Sequence, residues 1–183
     1  MAQEMSLISI LMAVYEPRMD WLREQLESLN VQTYPNLELI VCDDCSQTVP
    51  FESLCNLVKE CITAFPVRML RNEQNVGSNR TFEAMTKEAT GQYVAYCDQD
   101  DIWYPEKLTV LERAASQPDV SLVCSDMEVV DENGKKTANS ITQVRRHHVF
   151  HEGREQAEKL LFHNWVTGCT VLLPTALAKA AVP

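Results

Sequence analysis

A chain of 183 residues with 26 acidic and 16 basic side chains carries a formal net charge of −10. The length is that of one domain, and 45% hydrophobic residues supply a core without staples, which excludes disordered, collagen-like and low-complexity classes. The acidity excludes nucleic acid as a partner, and an acidic protein that handles phosphates needs a metal ion between the like charges.

Leu7–Val14 (LISILMAV) is a continuous apolar run of strand length, suited to a strand covered on both faces. Glu16-Pro17 breaks it. Trp21, Leu22, Leu26 and Leu29, with Gln25 as the polar exception, predict an amphipathic helix over Trp21–Leu29 that Asp20 could cap. Leu37–Cys42 reads as a second strand, Phe51–Ala64 as a helix and Val67–Leu70 as a short third strand. Asn72–Asn79 is a loop, and Thr81–Ala89 a helix stopped by Thr90-Gly91. Tyr93–Cys97 is a fourth strand, Glu106–Ser116 a helix started by Pro105, and Val120–Met127 a fifth strand. Five alternations of strand and helix predict a parallel sheet with helices on both faces. Beyond Met127 the order changes to a turn at Asp131–Gly134, a polar and basic mobile loop over Lys135–His151, a helix over Glu155–Phe162, a strand over Gly168–Leu173 and a last helix from Pro174. The chain thus divides into an α/β part, residues 1–127, and the start of a second part, residues 128–183, within one compact domain.

Acidic residues follow the second and fourth strands, as Asp43-Asp44 and Asp98-Gln99-Asp100-Asp101. In an open parallel sheet ligands bind outside the carboxyl ends of the strands, so both clusters are expected on one rim, joined by the end of the first strand and the loop Asn75–Arg80. Alternate residues of an extended D-x-D segment project to one side and suit a hard divalent cation, Mg²⁺ or Mn²⁺, which keeps sites for phosphate oxygens. Strand-end aspartates are also common turn formers and caps, and convergence from two strands is what favours the metal.

The segments ISILMAVYEP, LREQLESLNVQTYPNLELIVCDDCS, RNEQNVGSNRTFEAM and TGQYVAYCDQDDIWYPEKL occur in that order, followed by NWVTGCTVLL. The set resembles bacterial family 2 glycosyltransferases of the GT-A fold, rhamnosyltransferase-like members included. The resemblance implies a Rossmann-like, mostly parallel sheet and metal-dependent transfer of a sugar from a UDP- or dTDP-sugar to a saccharide or lipid-linked acceptor, by direct displacement with inversion. By the same resemblance Ala13 and Tyr15 frame the base, and Asp44 accepts the N3–H of uracil or thymine, a role an ionised carboxylate can fill. Asp98 matches the ribose-side acid and shares the metal with Asp100, the ligand of the D-x-D; Arg80 approaches the diphosphate. The general base is expected in an acidic segment after the Gly-Cys-Thr strand, beyond Pro183; His163-Asn164-Trp165 lies upstream and has Asn where the acid should be. Glu16-Pro17 replaces the usual Asn-Gly or Asn-Pro, which alters the turn.

Other readings stay open. Without the base segment the chain would be a nucleotide-sugar-binding module without turnover. A phosphatase of the haloacid-dehalogenase type also uses D-x-D, but on the first strand and with Thr or Val where Ile102 stands. Cys42-Asp43-Asp44-Cys45 is literally C-x-x-C, yet two carboxylates oppose thiol activation, so burial is the expected role of Cys42. His147, His148 and His151, with His163 further on, sit in a polar segment that reads as a solvated loop rather than a zinc site. Its arginines Arg145 and Arg146 would meet an anionic, lipid-linked glycan. Trp103 and Tyr104 either wall the sugar site or pack beneath the next helix, with packing favoured. No run reaches the roughly 18 apolar residues of a membrane span, residues 1–6 lack a basic start, and seven scattered cysteines read as reduced thiols. The expectation is a cytoplasmic protein, brought to the inner face of the membrane by a lipid-linked acceptor and by regions outside this chain.

Overall fold

The computed structural model describes residues 5–183 except positions 146, 147, 155 and 163. Its elements are β1 (Ile8–Val14), α1 (Met19–Asn30), β2 (Leu37–Asp43), α2 (Phe51–Cys61), β3 (Val67–Arg71), α3 (Ser78–Glu88), β4 (Tyr93–Cys97), α4 (Lys107–Ala115) and β5 (Val123–Cys124). There follow β6 (Val129–Val130), β7 (Lys136–Ala138), α5 (Ile141–Val144), α6 (Ala157–Phe162), a 3₁₀ turn (Gly168–Thr170), β8 (Val171–Pro174) and α7 (Thr175–Ala181).

Six strands form one sheet in the order β3-β2-β1-β4-β8-β5. β3, β2, β1 and β4 run parallel, and β8 enters antiparallel between β4 and β5. The apolar run of β1 is explained by its position, because it is the strand that both neighbours and both helical layers cover. Ile8, Ile10, Met12 and Val14 pack with Leu22, Leu26 and Leu29 of α1, Leu54 and Val58 of α2, and Leu108 and Leu111 of α4. Leu11 belongs to a second cluster with Met85 of α3 and Ala178 of α7. The expected α/β sheet with helices on both faces is therefore what forms.

Element ends differ for identifiable reasons. Asp20 lies inside the first turn of α1 and pairs with Arg18 at 2.6 Å instead of capping the helix. α2 stops at Cys61, short of the predicted Ala64, because Asn30 at the end of α1 accepts the main-chain N–H groups of Thr63 (2.8 Å) and Ala64 (3.0 Å). The fifth strand shrinks to Val123–Cys124 because its one ladder partner, β8, starts only at Val171, after the 3₁₀ turn that occupies the first half of the predicted Gly168–Leu173 strand. The predicted loop Lys135–His151 holds β7, which pairs with β6, and α5, whose first turn is capped by the Ser140 hydroxyl accepting from Thr142 N–H at 3.1 Å.

Gly91, between α3 and β4, lets the main chain press against β1. A Cβ there would lie 2.5 Å from the Leu7 carbonyl oxygen and 2.8 Å from the Ser9 nitrogen. Both are main-chain atoms of the central strand and cannot step aside. The Ser9 hydroxyl accepts from Gly91 N–H (2.8 Å) and donates to Glu38 (2.6 Å), so the contact also fixes the β1–β2 face. Gly91→Ala is expected to lower unfolding free energy in urea by about 1–3 kcal/mol through overpacking, with Gly134→Ala, whose added Cβ meets nothing within 4 Å but sits at φ 74°, as the control for backbone strain alone.

Candidate functional site

The carboxyl ends of β1, β2, β3 and β4 share one edge of the sheet. The chain winds from β1 through β2 to β3 on one side and places β4 on the other, so the switch point of the sheet falls between β1 and β4. Ala13 lies in β1 beside Cys42, Asp44 follows β2, and Asp98 follows β4, so the structure gathers the predicted acids on the predicted rim.

Asp44 organises the β2 side. The residue is 3% exposed. Its Oδ1 accepts from Asn72 Nδ2 (2.7 Å) and Val76 N–H (2.9 Å), and its Oδ2 accepts from Gly77 N–H (2.8 Å). Burial alone would raise its pKa; these hydrogen bonds outweigh it and hold the carboxyl below the usual aspartate value. Gly77, at φ 86°, precedes α3, and its own position offers no side-chain cap. Asp44 serves that purpose across the sheet, an anion at a helix N-terminus. The loop expected to join the rim thus gives two main-chain donors to Asp44. A cleft of about 500 Å³ beside it is lined by Asn72, Glu73, Gln74 and Val76. Asp43, fully buried, accepts from Ser46 N–H (3.0 Å) and stands 3.3 Å from Arg71 Nε, joining the ends of β2 and β3.

The β4 side takes a different shape from the extended D-x-D of the sequence reading. Gln99 and Asp100 form a turn. A turn brings its first and fourth residues together, and Asp98, Asp101 and Cys169 carry ligand atoms within 4.8 Å of one another. Asp100 is exposed and stands outside that trio. Asp98 is exposed as a residue but its carboxyl is walled in; lost hydration, then the charges of Asp101 and Asp100, push its pKa above the ordinary aspartate value. Lys107, at the start of α4, donates to the Cys169 carbonyl (2.6 Å) and lies 3.6 Å from the centre of the Trp103 ring. Burial, Asp101 and Asp98 keep the Cys169 thiol protonated by raising its pKa.

Beneath this turn runs a buried polar chain. Gln25 Nε2 donates to the Cys97 sulfur, Ser28 Oγ donates to the Gln25 carbonyl (2.7 Å), and the same hydroxyl accepts from Trp103 N–H (3.0 Å). Sequence reasoning noted Gln25 only as a break in an apolar stripe; that break was the signal. Lys107, Cys169 and Asn72 gave no local signal, since each acts on a partner distant in the chain.

Tyr15 is 46% exposed at the tip of β1, and its main chain meets Gln99: Tyr15 N–H donates to Oε1 (2.9 Å) and Nε2 donates to the Tyr15 carbonyl (3.2 Å). Arg80, exposed in the first turn of α3, lines a cavity of about 390 Å³ with Phe82, Tyr96 and the residues around Val182. Glu16, at φ 43°, turns its carboxylate onto the loop after β2, accepting from Gln47 N–H and from Thr48 N–H (3.0 Å) and hydroxyl. Its departure from the family pattern therefore ties two rim loops together. Trp103 is 3% exposed and packs in the core, as favoured, whereas Tyr104 is 63% exposed and donates to Glu128. Cys42 is buried with its pKa raised to about 11 by burial and by Asp44 and Asp43, which fits an inert thiol. His148 is buried, unlike the solvated loop expected there, and the His151 and Trp165 rings meet edge-on with centres 4.7 Å apart; His147, His163 and Arg146 lie outside the described residues. Among the described residues no helix is long and apolar enough to cross a membrane.

A sequence model of the family described as Glycosyl transferase family 2 matches residues 9–179. The chain is 32% identical over 105 residues to the Escherichia coli UDP-Glc:alpha-D-GlcNAc-diphosphoundecaprenol beta-1,3-glucosyltransferase WfaP, covering 57% of this chain and 39% of that protein. It superposes on S. aureus TarS 1–349 in complex with UDP-GlcNAc with a TM-score of 0.70 and 21% identity, covering 94% of this chain and 46% of that one. The mannosyltransferase PcManGT from Pyrobaculum calidifontis, in complex with GDP-Man and Mn²⁺, gives 0.61 at 18% identity over 67% of this chain and 36% of that one. At these identities the two structures speak for the fold. The chain spans about half, or less, of the length of the curated relatives it matches.

Asp44→Asn removes the charge and turns an amide N–H toward main-chain donors, and is expected to cost about 1–3 kcal/mol of stability. Because the folded carboxyl titrates below its unfolded value, its contribution is complete above the ordinary aspartate range and is lost as pH falls through the lowered value. Urea unfolding across acidic pH should show a weaker acid dependence in Asp44→Asn than in the parent chain.

Proposed function

The chain belongs to glycosyl transferase family 2, and from that premise we propose that it binds a UDP- or dTDP-sugar at the switch point of its sheet and takes part in transferring the sugar to a saccharide or lipid-linked acceptor. The observation that carries the reading is the convergence of acid-bearing ends of β2 and β4 on either side of β1. WfaP, named for a UDP-Glc donor and a diphosphoundecaprenol-linked acceptor, supports a pyrimidine donor and a lipid-linked acceptor.

In this reading the base lies against Ala13 and the exposed Tyr15. Asp44 receives its imide N–H through the lone pair that Asn72, Val76 and Gly77 leave over, since an ionised carboxylate offers about four such sites. Asp98 takes the ribose side and would share a metal with Asp101, its partner across the turn, with Asp100 exposed on the same turn outside that trio. Two carboxylates beside a protonated thiol suit an oxygen-seeking Mg²⁺ or Mn²⁺, which would relieve the repulsion between Asp98 and Asp101. A bound cation would supply Lewis-acid stabilisation to the departing diphosphate. Arg80, one helical turn from the rim, approaches the same diphosphate. An acceptor hydroxyl then attacks the anomeric carbon as the bond to the diphosphate oxygen breaks, passing its proton to a carboxylate base, with inversion.

Calorimetric titration should show UDP or dTDP binding that weakens by about tenfold or more without Mn²⁺, a change of about 1.4 kcal/mol or more. Asp101→Asn should abolish that metal dependence while leaving the melting temperature close to the parent's. Metal-dependent binding with no donor turnover would identify a binding module, and binding of neither nucleotide would overturn the reading.

A further inference from the structure

The two strands that flank the switch point pair only as far as Met12 and Cys97. Beyond that rung β4 gives way to the acidic turn, and no main-chain bond from the turn reaches β1 among the described residues. The gap is closed by one side chain. The Gln99 carboxamide accepts from Tyr15 N–H at 2.9 Å and donates to the Tyr15 carbonyl at 3.2 Å. A carboxamide is a peptide group on a stem, so Gln99 offers Tyr15 the donor and acceptor that a neighbouring strand would have offered. On its other flank β1 is held by main chain, with Asp44 N–H donating to the Val14 carbonyl at 2.8 Å. The tip of β1 is therefore fixed by two contacts of different kind, one main-chain bond from Asp44 after β2 and one side-chain clamp from Gln99 in the turn after β4.

We propose that Gln99 is a positioning residue: its amide clamp on Tyr15 sets the distance between the base-side wall and the Asp98–Asp101 turn, so that one nucleotide diphosphate and its cation are held by both at once. Gln99 touches neither nucleotide nor metal in this arrangement. Its neighbours on either side are the acids, and the clamp fixes the middle of their turn, which leaves Asp98 and Asp100 little freedom to separate from Tyr15. No other polar type reaches both Tyr15 groups with this pairing: Glu lacks the donor, Asn is one methylene shorter, and Met matches the length with no hydrogen bond. The proposal rests on the nucleotide reading above.

Two measurements separate the clamp from that reading. In Gln99→Met the hydrogen exchange of the Tyr15 amide, measured without any nucleotide, should accelerate by about tenfold or more as its acceptor is lost, with a melting temperature close to the parent's. Mn²⁺ binding in the presence of UDP, followed by the electron paramagnetic resonance signal of free Mn²⁺, should weaken by about 10–100-fold, the range seen when an outer-shell partner of a metal site is removed. Faster exchange with unchanged Mn²⁺ and UDP affinity would overturn the positioning role. Unchanged exchange would overturn the clamp itself. If the parent chain binds no UDP or dTDP at all, the nucleotide reading fails first, and the exchange result still reports on the clamp.

Discussion

A charged carboxylate removed from water must be surrounded by donors, and Asp44 meets that requirement with three of them drawn from one loop. Much of the rim follows from this constraint. The loop after β3 cannot swing outward without uncovering the charge, so α3 starts at Ser78 and not further along. Asn72 is shared between Asp44 and Thr81, which couples the end of β3 to the second turn of the same helix. An acid just after β2 thereby fixes the start of a helix that packs on β1 and β2, and this part of the rim is a wall built by hydrogen bonds.

The β4 edge is held by the opposite strategy. Its acids face one another, and lost hydration adds to their repulsion, so the turn that carries them must be restrained by groups that do not share their charge. Neutral side chains supply this from below, through Gln25, Cys97 and Ser28, and a single ammonium supplies it from the side, through Lys107 between Trp103 and Cys169. One edge is thus rigid because its charge is satisfied, the other because its charge is hemmed in.

Much of this was legible in the sequence where the cause is local. The run over Leu7–Val14 could only be a strand covered on both faces, and Tyr93–Cys97 emerged with its predicted ends. The acids at the ends of β2 and β4 could be put on one rim from strand order alone. What escaped depends on partners far away in the chain. The D-x-D spacing suggested alternation along an extended segment, but a turn at Gln99-Asp100 pairs Asp98 with Asp101 instead, and Cys169 joins them from more than sixty residues on. The brevity of β5 follows from where β8 begins, which no property of Val120–Met127 could reveal. Glu16 looked like a mere change of turn, and its carboxylate proves to hold the loop after β2.

The antiparallel entry of β8 between β4 and β5 has a consequence for the order in which the chain can become ordered. β1, β2 and β3 pair with one another and β4 returns to β1, so that half-sheet draws only on the first hundred residues. Its outer edge, however, stays unpaired until Val171–Pro174 has been made, some seventy residues after Cys97, and β5 has no ladder partner until then. A nascent chain would therefore carry an open β4 edge next to its acidic turn, and Cys169, the sulfur that meets Asp98 and Asp101, would arrive with the segment that closes it. The last event in forming the sheet is also the one that completes the Asp98–Asp101–Cys169 cluster, so misfolding of the late strand and loss of that cluster would be a single lesion.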